Sequence, residues 1–337
     1  MPPTPGPAGP PDTHGGGTGR DFAARSVKRL RPHRRRAAAG QQTGLDPNLQ
    51  SDLPSWLAQE RVSVAAPRRL RSLAIAGLAA LLGAALVAGA QTAPESFWYV
   101  VFAAQVIYVV SWTVAMRPPA AALIAAIGLA AAAAADLAAA WTAQPSLESQ
   151  AYVAATAFGA AVAVQLARGK RRRSPTEALG ASLSVVVGVV ALAALIVLNR
   201  HTLGTQSIVA CLGAAGVALA VARLSDVLLP LPRVSSQVPR GAIGVVLGAM
   251  AGTVAAGVTG AYLVGLSPAR AAGVGLITAM AALMADLGVS YADAGRELDA
   301  QPPPFWLARH MQGPAGGFAL AAPVAYVLSV LVLVPSL

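Results

Sequence analysis

The sequence predicts an all-α fold: a polytopic transmembrane helix bundle of about nine helices, preceded by a disordered basic tail. Three observations support this prediction. Of the 337 residues, 55% are hydrophobic and only 12% are charged, which is more apolar than one soluble domain of this length normally is. Long apolar runs recur from residue 72 onward, and nearly all the Lys and Arg residues lie before the first run, between alternate runs or at the ends of those runs.

Residues 1–67 are rich in Pro, Gly and Arg and have no sustained apolar periodicity. Such a segment cannot bury enough apolar surface to offset the entropy lost on ordering. We therefore predict a disordered cytoplasmic tail over 1–67 and a transmembrane domain over 68–337. The basic cluster around Lys28 and Arg34 either binds anionic lipid or only sets the topology, and the sequence leaves both open.

The apolar runs contain roughly 17 to 26 residues, enough to cross a hydrocarbon layer about 30 Å thick. We predict spans near 72–90, 96–115, 119–141, 150–167, 177–198, 206–224, 241–266, 270–290 and 316–336. The residues between the last two spans are predicted to form a polar loop.

The basic residues predict the orientation of these spans. If the tail is cytoplasmic, only Arg200 and Arg270 of the 25 Lys and Arg residues fall on the outer side. This is the positive-inside pattern, so we predict a plasma-membrane protein with its N-terminus in the cytoplasm and its C-terminus outside. The net charge of +11 then describes the cytoplasmic face. It favours anionic phospholipid as the counter-charge and gives no reason to propose nucleic acid.

Two acidic residues lie at the cytoplasmic ends of predicted helices: Asp226 ends the sixth and Asp286 ends the eighth. With Arg233, Arg240 and Arg309 in the adjacent loops, the two carboxylates could bind a divalent cation and the phosphates that it bridges. The alternative is that both are ordinary helix-end charges in water.

Three further features concern packing inside the bundle. Asp136 falls within a predicted span, and an ionisable group is expensive there, so it should face the interior or lie nearer a helix end. Gly244 and Gly248 belong to a series of small residues that predicts close helix packing. Cys211 lies in an apolar run without a partner cysteine and is interpreted as a small core residue.

The C-terminal part of the chain, roughly 200–337, resembles the CDP-diacylglycerol synthases, also called phosphatidate cytidylyltransferases. Residues 285–290 (Ala-Asp-Leu-Gly-Val-Ser) are similar to the start of that family's G-D-L-x-E-S-x-x-K-R signature, and residues 321–326 (Ala-Ala-Pro-Val-Ala-Tyr) to its final helix. Arg233–Ser235 resembles the beginning of the family's S-P-K-K-T-x-E-G loop, and residues 241–244 resemble the start of the helix that follows this loop. Asp226 falls where the family carries an Asp ahead of that loop.

The chain departs from the family at several signature positions. Asp293-Ala294 replaces the family's K-R, Asp299-Ala300 its K-D and Gly313-Pro314 its final D-R. The P-G-H-G-G turn is replaced by residues 306–310 (Trp-Leu-Ala-Arg-His). These changes remove most of the groups that would neutralise phosphate during nucleotidyl transfer, so the resemblance predicts weak or lost activity.

The resemblance implies an integral membrane nucleotidyltransferase that would convert CTP and phosphatidate to CDP-diacylglycerol with Mg²⁺. Its implied partners are phosphatidate and, if the protein is active, CTP; a homodimer is left open. The resemblance implies three kinds of site residue. Candidate metal ligands are Asp286 and Asp226, and candidate groups for substrate phosphate are Arg233, Arg240 and Arg309. Further polar groups at the site would be Ser290, Asp299 and His310.

Two other functions remain open at this stage. The first is a non-catalytic phospholipid-binding or membrane-assembly protein of the same fold. The second is a small-molecule transporter, against which stands the lack of inverted repeats and of Gly/Pro-broken helices at matching positions in two halves.

Overall fold

A computed structural model describes residues 69–169, 174–229, 231–235, 238–299 and 305–333. The predicted tail over 1–67 and the basic residues 170–173 lie outside these ranges. Within the described residues, nine helices are long and apolar enough to cross a membrane, which confirms the predicted number of spans. The fold is a multi-pass transmembrane helix bundle.

The helices follow one another with short connections. The first five are α1 (Arg69–Ala90), α2 (Pro94–Met116), α3 (Ala121–Trp141), α4 (Glu148–Ala167) and α5 (Pro175–Asn199). After α6 (Gly204–Leu228) come the strands β1 (Arg233–Ser235) and β2 (Val238–Gly241) and then α7 (Ala242–Tyr262), α8 (Pro268–Leu298) and α9 (Trp306–Leu328). A π-helical turn, Ser329–Leu333, continues α9. The spans α5 and α6 are the most buried and form the centre of the bundle, whereas α4 is the least buried.

Side-chain contacts define two ends of the bundle. At one end, Arg296 near the end of α8 contacts Met116 at the end of α2, and the short antiparallel β1–β2 hairpin connects α6 to α7. We call this the hairpin end. At the opposite end, Arg200 after α5 donates to the carbonyl oxygen of Ala139 in α3. Consecutive spans therefore alternate in direction, as the positive-inside argument assumed.

Glycines bring α6 and α7 into backbone contact. A Cβ atom on Gly244, Gly248 or Gly252 would lie 2.6 to 2.8 Å from a carbonyl oxygen of α6. Because the three glycines are spaced by four residues, they form one stripe along α7. This confirms the predicted close packing and places Arg240, just before α7, beside the end of α6.

The largest difference from the predicted spans lies between α8 and α9. The polar loop expected over 291–315 is helical for most of its length, because α8 continues to Leu298 and α9 begins at Trp306. The charged side chains there pair with one another across the two helices, so both can continue past the apolar spans. Pro314 lies inside α9, where it removes one backbone donor without ending the helix.

Candidate functional site

Four charged side chains meet at the hairpin end of the bundle. Arg223 and Asp226 lie one turn apart on α6 and therefore share a face of that helix. Arg240 comes from β2, and Asp286 from the part of α8 that packs beside it. We call these four residues the buried network, because all are less than one-tenth exposed.

Arg240 is the centre of the buried network. Its Nη1 atom donates to Asp226 Oδ2 at 2.6 Å, and its Nη2 atom donates to Asp286 Oδ2 at 2.7 Å. The side chain is only 1% exposed, so both bonds form away from water. One guanidinium thus joins two carboxylates that lie 60 residues apart in the sequence, at residues 226 and 286.

The remaining carboxylate oxygens are also occupied. Arg223 Nη2 donates to Asp286 Oδ1, and the backbone N–H of Gly241 donates to Asp226 Oδ1 at 2.9 Å. A Cβ atom on Gly244 would lie 2.8 Å from this same Asp226 oxygen, so glycine is needed for the carboxylate to fit. Two arginines and two aspartates give a net charge of zero, which reduces the cost of keeping charges at this depth.

A second group of charges surrounds the helix ends next to the buried network. Asp293 on α8 accepts from Arg296 and, at 3.0 Å, from Arg309 Nε on α9; Arg309 also donates to Glu297. We call these four residues the peripheral network. It too has two basic and two acidic members, but Glu297 is 59% exposed. This network therefore faces the water side of the hairpin end.

The eight residues that the resemblance implied fall into three groups. The buried network contains Asp226, Asp286 and Arg240, and Ser290 adjoins it by accepting from Arg223 at 3.4 Å. The peripheral network contains Arg309, and the neighbouring residue His310 packs its ring against that of Trp306 at a tilt of 34°.

Arg233 and Asp299 lie outside both networks. Arg233 is half-buried in β1, and Asp299 is exposed where α8 ends. The structure brings the two carboxylates to the same end of the bundle, and their burial excludes the alternative that they are helix-end charges in water.

Sequence reasoning missed Arg223. It lies inside an apolar run, and its spacing from Asp226 is the signal that would have revealed it, because an arginine at membrane depth needs an acidic partner. The predicted placement of Arg240 and Arg309 in loops is also wrong: Arg240 lies in a strand and Arg309 in a helix. Both are held in place by acidic neighbours.

The geometry does not suit a divalent metal ion at Asp226 and Asp286. Mg²⁺ requires oxygen ligands in near-octahedral geometry, and carboxylates supply their lone pairs to it. Here both oxygens of each carboxylate accept hydrogen bonds from arginine or backbone N–H groups. Within the described parts of the chain, no group of three or more His, Cys, Asp or Glu side chains is placed to hold a metal ion.

No protein-family model, curated protein or solved structure matches this chain. The likeness to CDP-diacylglycerol synthases therefore stays a prediction from the residues quoted above.

Proposed function

We propose that this membrane protein binds anionic phospholipid at its hairpin end and does not transfer a nucleotide there. The observation that supports the proposal is the buried network, in which arginines occupy the carboxylates that the resemblance assigns to Mg²⁺. In-line nucleotidyl transfer depends on metal ions and free cationic groups to offset phosphate charge. At this site the cationic groups already neutralise carboxylates.

The peripheral network offers a place for a lipid phosphate. Arg309 is held by Asp293, which is buried, and by Glu297, which is exposed. An ion pair with an exposed carboxylate contributes only about 0–1 kcal/mol. A phosphate oxygen at the membrane surface can replace Glu297 as the acceptor, while Asp293 keeps the Arg309 guanidinium oriented. Hydrogen bonds from arginine to phosphate are charge-assisted and are stronger than hydrogen bonds between neutral groups.

Apolar side chains near Arg309 fit a position at the membrane interface. Phe305, Trp306 and Leu307, at the start of α9, are all exposed. Aromatic residues are enriched where lipid headgroups meet the hydrocarbon layer. An arginine within one turn of these residues would lie at the depth of the lipid phosphates.

The same placement agrees with the proposed orientation. The positive-inside rule puts the hairpin end in the cytoplasm, and the cytoplasmic leaflet carries the anionic lipids. We propose the plasma membrane as the location, with phosphatidate as the lipid that the resemblance suggests.

Lipid binding by the full-length protein tests the proposal. The protein is titrated with phosphatidate or phosphatidylcholine, and bound lipid is counted by native mass spectrometry after release from detergent micelles. We expect phosphatidate to bind in preference to phosphatidylcholine, and Arg309→Gln to reduce this preference several-fold.

The matched control is Arg270→Gln. Arg270 is exposed at the opposite end, at the start of α8, so its loss changes the net charge equally and should leave the lipid preference unchanged. Equal binding of the two lipids by the unmodified protein, or equal effects of the two substitutions, would refute the proposal.

A further inference from the structure

Asp136 lies among helices that carry no basic side chain, and Arg200 is bound about one turn away, at the carbonyl oxygen of Ala139. It is 2% exposed on α3, and the helices that pack against α3 are α2, α4 and α5. None of these four helices contains a Lys, Arg or His residue. An ionised Asp136 would therefore have no cationic partner on its own helix or on those packed against it.

The depth of Asp136 makes an uncompensated charge costly. Its hydrogen-bond partner is Gln105, which is fully buried halfway along α2. Asp136 lies five residues before Trp141, where α3 ends, which is about 7.5 Å of helix at a rise of about 1.5 Å per residue. A charged group buried within a membrane span is rare and is normally paired, because the hydrocarbon layer does not solvate it.

The hydrogen bonds of this pair leave two particular atoms without partners. Gln105 Nε2 donates one proton to Asp136 Oδ1 at 2.8 Å and the other to the carbonyl oxygen of Val189 on α5 at 2.9 Å. Asp136 Oδ2 and Gln105 Oε1 are buried and have no hydrogen-bond partner among the residues that the structure describes. Both are acceptors when the carboxyl group is ionised, so neither can satisfy the other.

We propose that Asp136 is a proton-binding site and that its carboxyl group is neutral in the folded protein. A single proton on Oδ2 makes that atom a donor, and Gln105 Oε1 is the unpartnered acceptor on the group that already contacts Asp136. The acid and the amide then exchange two hydrogen bonds, and both unpartnered atoms are satisfied. The added proton also removes the charge. This inference is independent of the proposed lipid binding at the hairpin end.

Gln150 provides a polar group between Asp136 and the opposite end. It is the third residue of α4, is 3% exposed, and donates to the carbonyl oxygen of Ala135 at 3.0 Å. Its own Oε1 atom is buried and has no partner within the described ranges. Water at the opposite end is the source of the proton, and Gln150 lies next to the residue that receives it.

The other titratable groups on the neighbouring helices do not compete for this role. The titratable side chains on α2, α4 and α5 are Glu95, Tyr99, Tyr108, Glu148, Tyr152 and Glu177. All but Tyr108 are exposed, and Tyr108 donates its hydroxyl proton to the carbonyl oxygen of Ser184. Arg200, after α5, is bound to backbone carbonyls at the end of α3.

Infrared difference spectroscopy of the full-length protein in lipid nanodiscs tests the site. At neutral pH, the spectrum of the unmodified protein minus that of Asp136→Asn should show the C=O stretching band of a protonated carboxylic acid, which shifts to lower frequency in D₂O. Gln105→Leu should shift the band to higher frequency, because the carbonyl oxygen Oδ1 then loses the hydrogen bond from Gln105 Nε2 and the acid O–H loses its proposed acceptor. Asp299→Asn, at an exposed position, is the matched control and should leave the band unchanged.

Thermal unfolding supplies a second measurement that does not depend on the spectrum. The side-chain amide of the Asp136→Asn variant carries an N–H donor in place of the acid O–H, so this variant should keep the melting temperature, whereas Asp136→Leu should lower it. Absence of the protonated-acid band at neutral pH would overturn the proposal. Stabilisation of the unmodified protein by Na⁺ that disappears in Asp136→Asn would also overturn it, because the site would then hold a metal cation.

Discussion

Replacing Arg240 by methionine should destabilise the bundle by about 3–5 kcal/mol, the usual cost of removing one partner of a buried ion pair. Methionine keeps much of the length and volume of the side chain but has no charge or donor. The substitution leaves Asp226 with only the Gly241 N–H and leaves Asp286 with Arg223. The buried network would then carry a net charge of −1 within a part of the bundle that is closed to water.

Denaturant titration in mixed micelles measures the free energy of unfolding for this test. The set comprises the unmodified protein, Arg240→Met, Asp226→Asn and the double variant. We expect the double variant to lose less than the sum of the two single losses, because each single change leaves a buried charge that the other removes. The reasoning would be refuted if Arg240→Met cost less than about 1 kcal/mol, as for an exposed pair, or if the two losses were additive.

Three further predictions concern other parts of the bundle. Gly248→Ala should lower the melting temperature, because its Cβ would lie 2.6 Å from the carbonyl oxygen of Ala218, whereas Gly273→Ala, with nothing within 4 Å, should not. Burial, followed by the charge of Arg200, lowers the pKa of His201 below its ordinary value of 6.5. The unfolded chain therefore binds a proton at His201 more readily than the folded protein, so thermal stability should fall as the pH drops below 6.5. The fall should be smaller in His201→Gln. Arg200→Gln should also lower the melting temperature, because the side chain donates to two backbone carbonyls at the end of α3.

The number of spans could be predicted because a membrane helix is defined by the length of its apolar run. The ends of α8 and α9 could not be predicted in the same way. Hydropathy treats Asp293, Arg296 and Arg309 as breaks in an apolar run, but in the structure their charges pair between the two helices. Pairing across helices depends on distances in space, which a pattern along one chain does not contain.

Distances in space also decide the chemistry of the candidate site, and the sequence pattern does not contain them. The topology predicted that Asp226 and Asp286 would lie at the same end of the bundle, and the structure joins them through Arg240. Sequence reasoning could not decide whether each carboxylate would face a metal ion or a guanidinium group. Arg223 decides that question for Asp286, and as a single basic residue in an apolar helix it was overlooked.

We propose that the hairpin end binds phospholipid without nucleotidyl transfer, and this can be tested with the family's own reaction. The most direct measurement is formation of CDP-diacylglycerol by the purified full-length protein supplied with phosphatidate, CTP and Mg²⁺, beside the Asp286→Asn variant. We predict no product from either protein, with phosphatidate still bound to the unmodified one. Product that forms with the unmodified protein and disappears in the variant would overturn this proposal, because Asp286 would then serve nucleotidyl transfer despite its ion pairs with Arg223 and Arg240.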